Sequence, residues 1–270
     1  MILIRSLAFQ LCLYIFTAIA AILGVPLLLL PWRCSMMYGA TWAAMVLKLL
    51  GWCVGLRHEV RGREHLPAGP AIIAMKHQSA WDTFAVPVVF GDAAIVLKKE
   101  LMLVPFYGWY LWKAGMIAID RKAGAGALRS LVAGASRAIA QGRSIVIFPE
   151  GTRIAPGTHR PYQPGVAALY RQLGLPVVPV ALNSGLFWGR RHFLKRPGRI
   201  VLEILPPIPP GLDRRALMAA LEERIETATA WLVSADGAAP RPVVDKSGDI
   251  LRKAGTAGAA GGKSGDNLIS

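Results

Sequence analysis

The chain has 270 residues, of which 54% are hydrophobic, and 31 Lys and Arg against 16 Asp and Glu give it a formal net charge of +15. This length allows one large α/β domain or two small ones, and the mean hydropathy of +0.42 is too high for a fully soluble enzyme. A basic surface attracts nucleic acid or anionic lipid. Because no zinc-finger or RNP-like motif occurs, we expect an anionic membrane surface as partner and no nucleic acid.

Residues 1–55 predict two membrane-anchoring helices. No charged residue occurs over residues 6–32, and a helix over Leu3–Leu30 would be about 40 Å long, enough to cross a hydrocarbon core of about 30 Å. We expect Pro26 to kink it. The segment Ser35–Cys53 predicts a second, more amphipathic helix with Lys48 as its only charge. Two arrangements stay open: a first helix that spans the bilayer, or a hairpin of both helices within one leaflet.

No metal site and no disulfide framework are expected. The three cysteines are an odd number, and none belongs to a C-x-x-C pair. The five histidines show no H-E-x-x-H or similar ligand spacing.

Residues 56–233 alternate short apolar runs with helical patterns, which indicates βαβ units and an α/β fold with a mainly parallel central sheet and flanking helices. The predicted strands are His58–Arg61, Ala71–Met75, Ala94–Leu97, Met116–Ile119, Ser144–Phe148, Val177–Leu182 and Ile200–Ile204. The predicted helices are Ser79–Phe90, Phe106–Lys113, Gly126–Gln141, Gly165–Leu173 and Arg214–Leu232. Gly, Ala and mixed charges dominate residues 234–270, which we expect to form a disordered tail.

The domain is organised around the stretch from Ile72 to Thr83, where a buried strand leads to His77 and Asp82 follows five residues later. With Ser79 as the N-cap of the next helix, Asp82 lies in its first turn and its carboxylate can turn back to the imidazole. A neutral histidine held in this way has one nitrogen fixed as donor and the other free as a base. The alternative is that Ser79 and Asp82 form only a capping box.

Two cations close neighbouring predicted strands. Lys98 follows one strand and Arg121 follows the next, so both can point into one crevice beyond the strand ends. Fixed positive charge, with the bidentate fork of arginine, is what a phosphomonoester requires. The alternative is a solvated pair of lysines and a surface couple of Asp120 with Arg121, which would contribute little.

The most specific motif follows the strand at Ile145, where the sequence reads Phe-Pro-Glu-Gly-Thr-Arg over residues 148–153. Gly151 permits backbone conformations closed to other residues, so a ligand can approach the main chain. Thr152 and Arg153 supply donors for phosphate oxygens. Glu150 has an alternative role, in which it orders the loop by pairing with an internal arginine.

Further basic residues surround aromatic ones after the predicted strand Val177–Leu182. They predict a patch that binds an anionic leaflet, each cation contributing on the order of 1 kcal/mol, or one that receives an acidic carrier protein. The patch comprises Arg190, Arg191, Lys195, Arg196 and Arg199. The aromatic run Phe106–Trp112 fits core packing, an interfacial position or an acyl-chain groove, and the sequence does not separate these.

In these motifs the chain resembles the glycerolipid acyltransferase family, and within it the bacterial 1-acyl-glycerol-3-phosphate (lysophosphatidate) acyltransferases. The shared elements are a His and an Asp separated by four residues, a Lys-x-Glu-Leu followed by Asp-Arg, the Phe-Pro-Glu-Gly-Thr-Arg motif and a Val-Pro-Val strand. The chain departs from the family at Ile154 and at residues 162–164, where members often carry serine and lysine. That departure weakens any phosphate contact from this loop.

The resemblance implies transfer of a fatty acyl group from an acyl thioester to the free hydroxyl of lysophosphatidate, giving phosphatidic acid. His77 would be the general base and Asp82 its orienting partner, with Lys98, Arg121, Glu150, Gly151, Thr152 and Arg153 binding the acceptor. No cofactor is implied beyond the co-substrate, acyl-CoA or acyl carrier protein. The alternatives are another lysolipid acceptor, such as lyso-ornithine lipid, and a non-enzymatic basic membrane adaptor.

The resemblance also implies a two-helix anchor that holds the catalytic domain against the inner (cytoplasmic) membrane. Basic residues directly after the second helix are typical of the cytoplasmic side, and the chain has Arg57, Arg61 and Arg63 there. We therefore expect the catalytic domain on the cytoplasmic face.

Overall fold

The structure is a computed structural model that describes residues 1–121 and 123–234 together with two short strands, β8 (Val243–Val244) and β9 (Ile250–Leu251), which pair antiparallel. Of the predicted tail, 234–270, the structure describes only Ser234 and these two strands, and the other residues lie outside the described ones. The helices are α1 (Ile2–Leu23), α2 (Trp32–Val54), α3 (Trp81–Val89), α4 (Tyr107–Lys113), α5 (Ala125–Ala140), α6 (Gly165–Leu173) and α7 (Arg214–Val233).

A seven-stranded sheet forms the centre of the described structure, in the order β1-β7-β6-β2-β5-β3-β4. Every neighbouring pair is parallel except β6 with β7, so β1 and β7 run opposite to the other five strands. The predicted α/β fold with a mainly parallel sheet and flanking helices is confirmed. The strands are β1 (Leu56–Arg61), β2 (Ile72–Met75), β3 (Ala94–Lys98), β4 (Ile117–Ile119), β5 (Ile145–Ile147), β6 (Val177–Leu182) and β7 (Gly198–Ile204).

The central strands of the sheet are buried on both faces, which explains why they read as continuous apolar runs. In β2, Ile73 and Met75 pack into a cluster with residues of α1, α2 and α3. Their neighbours Ile72 and Ala74 pack on the opposite face with residues of α5, α6 and α7. The alternation of side chains along a strand therefore decides which helical layer each residue meets.

The N-terminal segment forms a helical hairpin. α1 ends at Leu23, a 3-10 segment covers Val25–Leu29, and α2 begins at Trp32. The expected single helix over Leu3–Leu30 is wrong. Pro26 is the second residue of the 3-10 segment, where its missing N–H donor is tolerated, and it does not kink a continuous helix.

Side-chain hydrogen bonds join the two helices of the hairpin in antiparallel order. The Tyr38 hydroxyl donates to the carbonyl of Ala20 at 2.6 Å, and the Trp42 indole N–H donates to Thr17 Oγ1 at 3.3 Å. Both helices are long and apolar enough to cross a membrane. Most large apolar side chains on the outer side of α1 are exposed, Leu3, Leu7, Leu11, Ile15 and Ile19 among them, so this surface lacks a protein partner within the described structure.

The α/β domain holds α1 at both ends. At one end, Lys195 is 1% exposed, and its Nζ lies 2.7 Å from Gln10 Oε1 and 4.9–5.5 Å from the ring centroids of Phe9, Trp188 and Phe193. At the other end, the Tyr110 hydroxyl donates to the carbonyl of Ala21 at 2.8 Å. The domain therefore holds α1 at these two places.

The carboxyl ends of the five parallel strands meet at one edge of the sheet. His77 follows β2, Lys98 ends β3, Arg121 follows β4, Glu150 follows β5 and Ser184 follows β6. Five separate loops thus bring polar residues to the edge where parallel sheets bind ligands.

Candidate active site

His77 and Asp82 are in direct contact at the end of β2. The imidazole Nδ1 lies 2.9 Å from Asp82 Oδ2, and Asp82 is fully buried. Because an ionised carboxylate only accepts hydrogen bonds, this contact makes Nδ1 the donor, which in a neutral imidazole leaves Nε2 unprotonated. The His77 side chain is 14% exposed, so the imidazole ring reaches the surface of the protein.

Four donors surround the buried carboxylate of Asp82. Besides the imidazole, the backbone N–H groups of Gln78 and Ser79 donate to Oδ2 at 2.7 and 2.8 Å, and the Ser184 hydroxyl donates to Oδ1 at 2.6 Å. Hydrogen bonds to the charged form offset the cost of burying a carboxylate. The Asp82 side chain therefore has a single position, and it fixes the plane of the His77 ring.

Ser79 does not cap α3 in the expected way. The helix begins at Trp81 after Ala80, and the Ser79 hydroxyl accepts a hydrogen bond from the Trp81 N–H at 3.1 Å. The bond from the Ser79 N–H to Asp82 is one half of a capping box. The capping interpretation and the contact with the imidazole thus coexist, because Asp82 Oδ2 accepts both bonds.

An aromatic ring supports the other side of the imidazole. Phe148 stacks on His77 with ring centroids 4.1 Å apart and an interplanar angle of 23°. The carbonyl of His77 accepts a hydrogen bond from the Ile154 N–H at 2.8 Å. We call Glu150–Arg153 the motif loop. The residues on either side of this loop contact the ring and the backbone of His77.

Glu150 points into the protein. Its carboxylate is buried, Oε1 lies 2.6 Å from Lys76 Nζ, and Oε2 accepts the backbone N–H of His77 at 3.0 Å. Burial raises the pKa of Glu150, and the Lys76 ammonium and the His77 N–H oppose that rise. The expected internal partner was an arginine, and the observed one is Lys76. Both oxygens of the carboxylate are engaged, which differs from the expectation that Glu150 contacts the acceptor.

Gly151 and Arg121 meet where the motif loop turns outward. Gly151 has a φ of +69°, and a Cβ at this position would lie 3.2 Å from Gln163 Cγ, so the turn favours glycine twice over. The Arg121 guanidinium donates to the carbonyl of Gly151. Burial lowers the pKa of Arg121, and Glu100 opposes that shift. The end of β4 thus brings the Arg121 guanidinium to the motif loop, which lies 30 positions later in the chain.

The remaining predicted site residues lie along the same edge. Lys98 is exposed at the end of β3, where its backbone is in register with Ile119, two residues before Arg121. Thr152 and Arg153 are half-buried in the motif loop. The carbonyl of Arg153 accepts a hydrogen bond from Arg190 at 3.4 Å, which brings one member of the predicted basic patch to this loop.

Four residues around the site were not among the predicted site residues. The Ser184 hydroxyl donates to Asp82, and Lys76 lies behind His77. Glu226 and Tyr162 complete the surroundings of Lys76 from α7 and from the loop before α6. Lys76 had one available signal, since a charged residue that ends a buried strand requires a partner. The partners themselves lie too far along the chain to be inferred.

The aromatic segment Phe106–Trp112 forms α4 and the turn before it, beside the 3-10 segment of the hairpin. Trp109 and Trp112 are 49% and 75% exposed, so they are not core residues. A cavity of about 410 Å³ lies between α4 and Leu28. None of the predicted site residues lines it, so it is separate from the His77 site.

Comparisons with known proteins show which family the chain is similar to. A family model described as Acyltransferase matches residues 57–183. The chain is 38% identical over 191 residues to the 1-acyl-sn-glycerol-3-phosphate acyltransferase of Pseudomonas aeruginosa, covering 71% of this chain and 73% of that relative. It is 31% identical over 213 residues to the 1-acyl-sn-glycerol-3-phosphate acyltransferase alpha of Ovis aries, covering 77% and 72%.

The fold is also similar to a solved structure. The crystal structure of the 1-acyl-sn-glycerophosphate (LPA) acyltransferase PlsC from Thermotoga maritima superposes with a TM-score of 0.70 at 21% identity. The match covers 86% of this chain and 98% of that chain. At this identity, the match shows a shared fold.

Proposed function

This chain belongs to the acyltransferase family, and from that membership and the geometry around His77 we propose that it is a 1-acylglycerol-3-phosphate O-acyltransferase. It transfers a fatty acyl group from an acyl thioester to the free hydroxyl of lysophosphatidate. The product is phosphatidic acid, so the reaction is a step of phospholipid biosynthesis. The domain that carries it out is residues 56–233, and residues 1–55 anchor it.

His77 is the general base of this reaction. Its Nε2 takes the proton of the acceptor hydroxyl while that oxygen attacks the thioester carbonyl carbon, and the imidazolium returns a proton to the thiolate as the C–S bond breaks. Asp82, 2.9 Å from Nδ1, orients the ring and stabilises its charged form. Such a base contributes about 10²–10⁴ in rate, and positioning of the two substrates supplies much of the remainder.

Arg121 and Arg153 bind the acceptor phosphate. Arg121 contacts the carbonyl of Gly151, and Arg153 lies two residues further along the motif loop, so both cations are close to the loop that contacts His77. A guanidinium can offer a phosphate two parallel hydrogen bonds. Lys98 and Thr152 are the secondary donors on this edge. Glu150 contributes indirectly, because it is buried and shapes the loop.

The anchor lies in one leaflet of the inner membrane, with the α/β domain on the cytoplasmic face. α1 contacts the domain at Lys195 and again at Tyr110, so a bilayer-spanning position of α1 would carry the domain into the hydrocarbon. The exposed apolar surface of α1 and the exposed Trp109 and Trp112 fit the acyl and headgroup layers. Arg57, Arg61 and Arg63 follow α2 in keeping with a cytoplasmic position.

The reaction uses no cofactor beyond its acyl donor. Acyl-CoA and acyl carrier protein both present a thioester and negative charge, and the basic patch around Arg190 would attract either. An assay that compares the two thioesters with the same acyl chain decides between them, and charge reversal at Arg190 and Arg191 should weaken a donor that binds at this patch.

The observation that carries the proposal is the His77–Asp82 pair at the strand edge, next to the motif loop that the Arg121 guanidinium contacts. The test is an assay of purified protein in detergent with a labelled acyl thioester and a panel of lysolipids that differ in the phosphate. We expect lysophosphatidate to be acylated and acceptors without a phosphomonoester to be poor substrates. Equal rates for lysophosphatidate and lyso-ornithine lipid would contradict the assigned acceptor.

A further inference from the structure

A second polar cluster lies behind the active site, on the opposite side of the strand end from Asp82. Lys76 and His77 are consecutive, and the Lys76 N–H continues the sheet pattern by donating to the carbonyl of Val180 at 2.9 Å. Side chains alternate along a strand. His77 therefore meets Asp82 of α3, while Lys76 is directed toward the layer that contains α7.

Lys76 is 1% exposed, which is rare for a lysine and requires compensation. Its ammonium lies 2.6 Å from Glu150 Oε1 and 2.6 and 2.8 Å from the two carboxylate oxygens of Glu226. The Tyr162 hydroxyl donates to Glu226 Oε1 at 2.8 Å. Burial, followed by the charge of Glu226, raises the pKa of Tyr162, so the phenol stays protonated as a donor. We call Lys76, Glu150, Glu226 and Tyr162 the buried charge network.

This network reaches the catalytic base through Glu150. One carboxylate oxygen faces Lys76 and the other accepts the backbone N–H of His77 at 3.0 Å. The same residue is the first of the motif loop, whose neighbour Pro149 accepts the N–H of Gln163 at 2.7 Å. A displacement of Glu150 would therefore move the base and the motif loop together.

The ammonium of Lys76 also sets the charge of Glu150. Burial raises the pKa of this carboxyl, and Lys76 is the largest opposing influence. Without the ammonium, desolvation acts with less opposition and favours the protonated acid. A protonated Glu150 is a weaker acceptor for the His77 N–H, since hydrogen bonds to an ionised group are the stronger ones.

We propose that Lys76 is a positioning residue for acyl transfer: it holds Glu150 against the backbone of His77, and Glu226 and Tyr162 hold Lys76 in place from the far layer of the domain. This inference rests on the proposed function for its kinetic readout. It adds that α7, which contributes no residue to the substrate crevice in our assignment, controls the alignment of the base with the acceptor phosphate site.

The test compares Lys76→Met, Glu226→Gln and Tyr162→Phe with Glu222→Gln. Glu222 is the matched control: it lies one turn before Glu226 on α7 and pairs with the exposed His159 at 2.5 Å, outside the network. Since misplacement of a reacting group by about 1 Å costs about 10²-fold, we expect kcat to fall about 10²-fold in Lys76→Met and about tenfold in Glu226→Gln. Both KM values should stay within about threefold, and Glu222→Gln should keep the activity within about twofold.

A double variant distinguishes positioning through Glu150 from a direct role. If Lys76 acts through Glu150, Lys76→Met combined with Glu150→Gln loses no more activity than the worse single variant, because both interrupt the same path. Multiplicative losses would overturn the proposal. So would a normal kcat in Lys76→Met and Glu226→Gln, or an effect confined to the KM of the acceptor. If Lys76→Met does not fold, Glu226→Gln decides, because the Glu226 side chain is 27% exposed and tolerates substitution better.

A spectroscopic readout separates this proposal from the proposed function. The Nδ1–H proton of His77, assigned by its disappearance in His77→Ala, reports the geometry of the ring in the absence of substrate. We expect its NMR signal to shift or broaden in Lys76→Met and to stay unchanged in Glu222→Gln. A wild-type protein that acylates no lysolipid refutes the proposed function, and the shift still tests positioning. An active wild type whose signal and kcat are both insensitive to Lys76→Met refutes the positioning role alone.

Discussion

Lys76 and His77, the two residues after β2, face opposite sides of the sheet, and their partners lie at very different distances along the chain. His77 takes its carboxylate from Asp82, five positions away, within one uninterrupted motif. Lys76 takes one of its carboxylates from Glu226, 150 positions away on α7. The chemistry on the first side is therefore encoded locally, while the rigidity that supports it depends on the complete fold of the domain.

The two sides also differ in how the burial of a charged side chain is compensated. Asp82 is fully buried and satisfied by four donors, three of them from residues 77–79. Lys76 is almost as deeply buried, but its partners Glu150 and Glu226 come from two separate segments, and each must fold correctly for the ammonium to be paired. We expect substitutions on the His77 side to remove the catalytic base or its partner. Substitutions on the Lys76 side should leave these groups in place but misalign them.

The largest effect is expected for Asp82→Asn. The amide cannot accept from Nδ1 and from the two backbone donors as a carboxylate does, so the ring loses its fixed tautomer. We expect kcat to fall about 10³-fold with little change in KM, measured by transfer of a labelled acyl group to lysophosphatidate. Asp213→Asn is the control, because asparagine caps α7 as well as the aspartate that now accepts the Ala216 N–H. Activity of Asp82→Asn within about tenfold of wild type would show that the pair is not catalytic.

Arg153→Ala is expected to have the next largest effect, on binding. A charge-assisted hydrogen bond contributes about 1.5–3 kcal/mol, so the KM for lysophosphatidate should rise about 10–100-fold. The KM for the acyl thioester should change much less. Arg129→Ala removes the same charge from an exposed position of α5 and serves as control. Equal increases in both KM values would remove the phosphate role from Arg153.

A smaller effect is expected for Ser184→Ala, which removes one of the four donors to Asp82. The hydroxyl lies 2.6 Å from Oδ1, and loss of a hydrogen bond to a buried charge should lower the free energy of unfolding by about 1–3 kcal/mol. We expect kcat to fall by about tenfold, since the remaining donors still hold the carboxylate. Denaturant unfolding and the transfer assay measure the two effects. Ser234→Ala, at the exposed end of α7, should change neither.

The smallest effect concerns the long-range contact between the domain and α1. Burial lowers the pKa of Lys195, so the folded protein releases this proton at a lower pH than the unfolded chain. Stability rises with pH wherever the unfolded state binds more protons. The Lys195 contribution should therefore become more favourable between its lowered pKa and the unfolded value of about 10.4.

Lys195→Met tests this directly, because methionine keeps most of the side-chain volume and removes the charge. Thermal midpoints of both proteins in the same detergent, from pH 7 to 10.5, should show the wild type gaining on the variant as the pH rises. A difference in thermal midpoint that stays constant across this pH range would contradict a lowered pKa of Lys195 in the folded protein.

The sequence predicted the parts of the site that lie within single motifs. The apolar run before His77, the helix that begins near Asp82 and the glycine turn after Glu150 each depend on neighbouring residues, and each lies where it was expected. The parallel order of the sheet followed from the alternation of strands and helices. The order of the strands and the antiparallel pairing of β6 with β7 were not specified by that pattern.

The remainder could not be predicted, because it depends on which distant residues become neighbours. Nothing in the helical pattern of α7 distinguishes Glu226, which contacts Lys76, from Glu222 one turn earlier, which contacts an exposed histidine. Ser184 lies 102 positions from Asp82 in the sequence, and only the packing of β6 beside β2 brings the two together. The length of α1 depended on how the chain turns at Pro26.

The central claim is that His77 is the base for acyl transfer. The most direct measurement is single-turnover transfer from a labelled acyl thioester to lysophosphatidate by His77→Ala, with membrane binding and the thermal midpoint measured on the same preparation. We predict that the variant folds and binds membranes like the wild type and that transfer falls by at least about 10²–10⁴. Transfer at a rate close to that of the wild type would contradict the account.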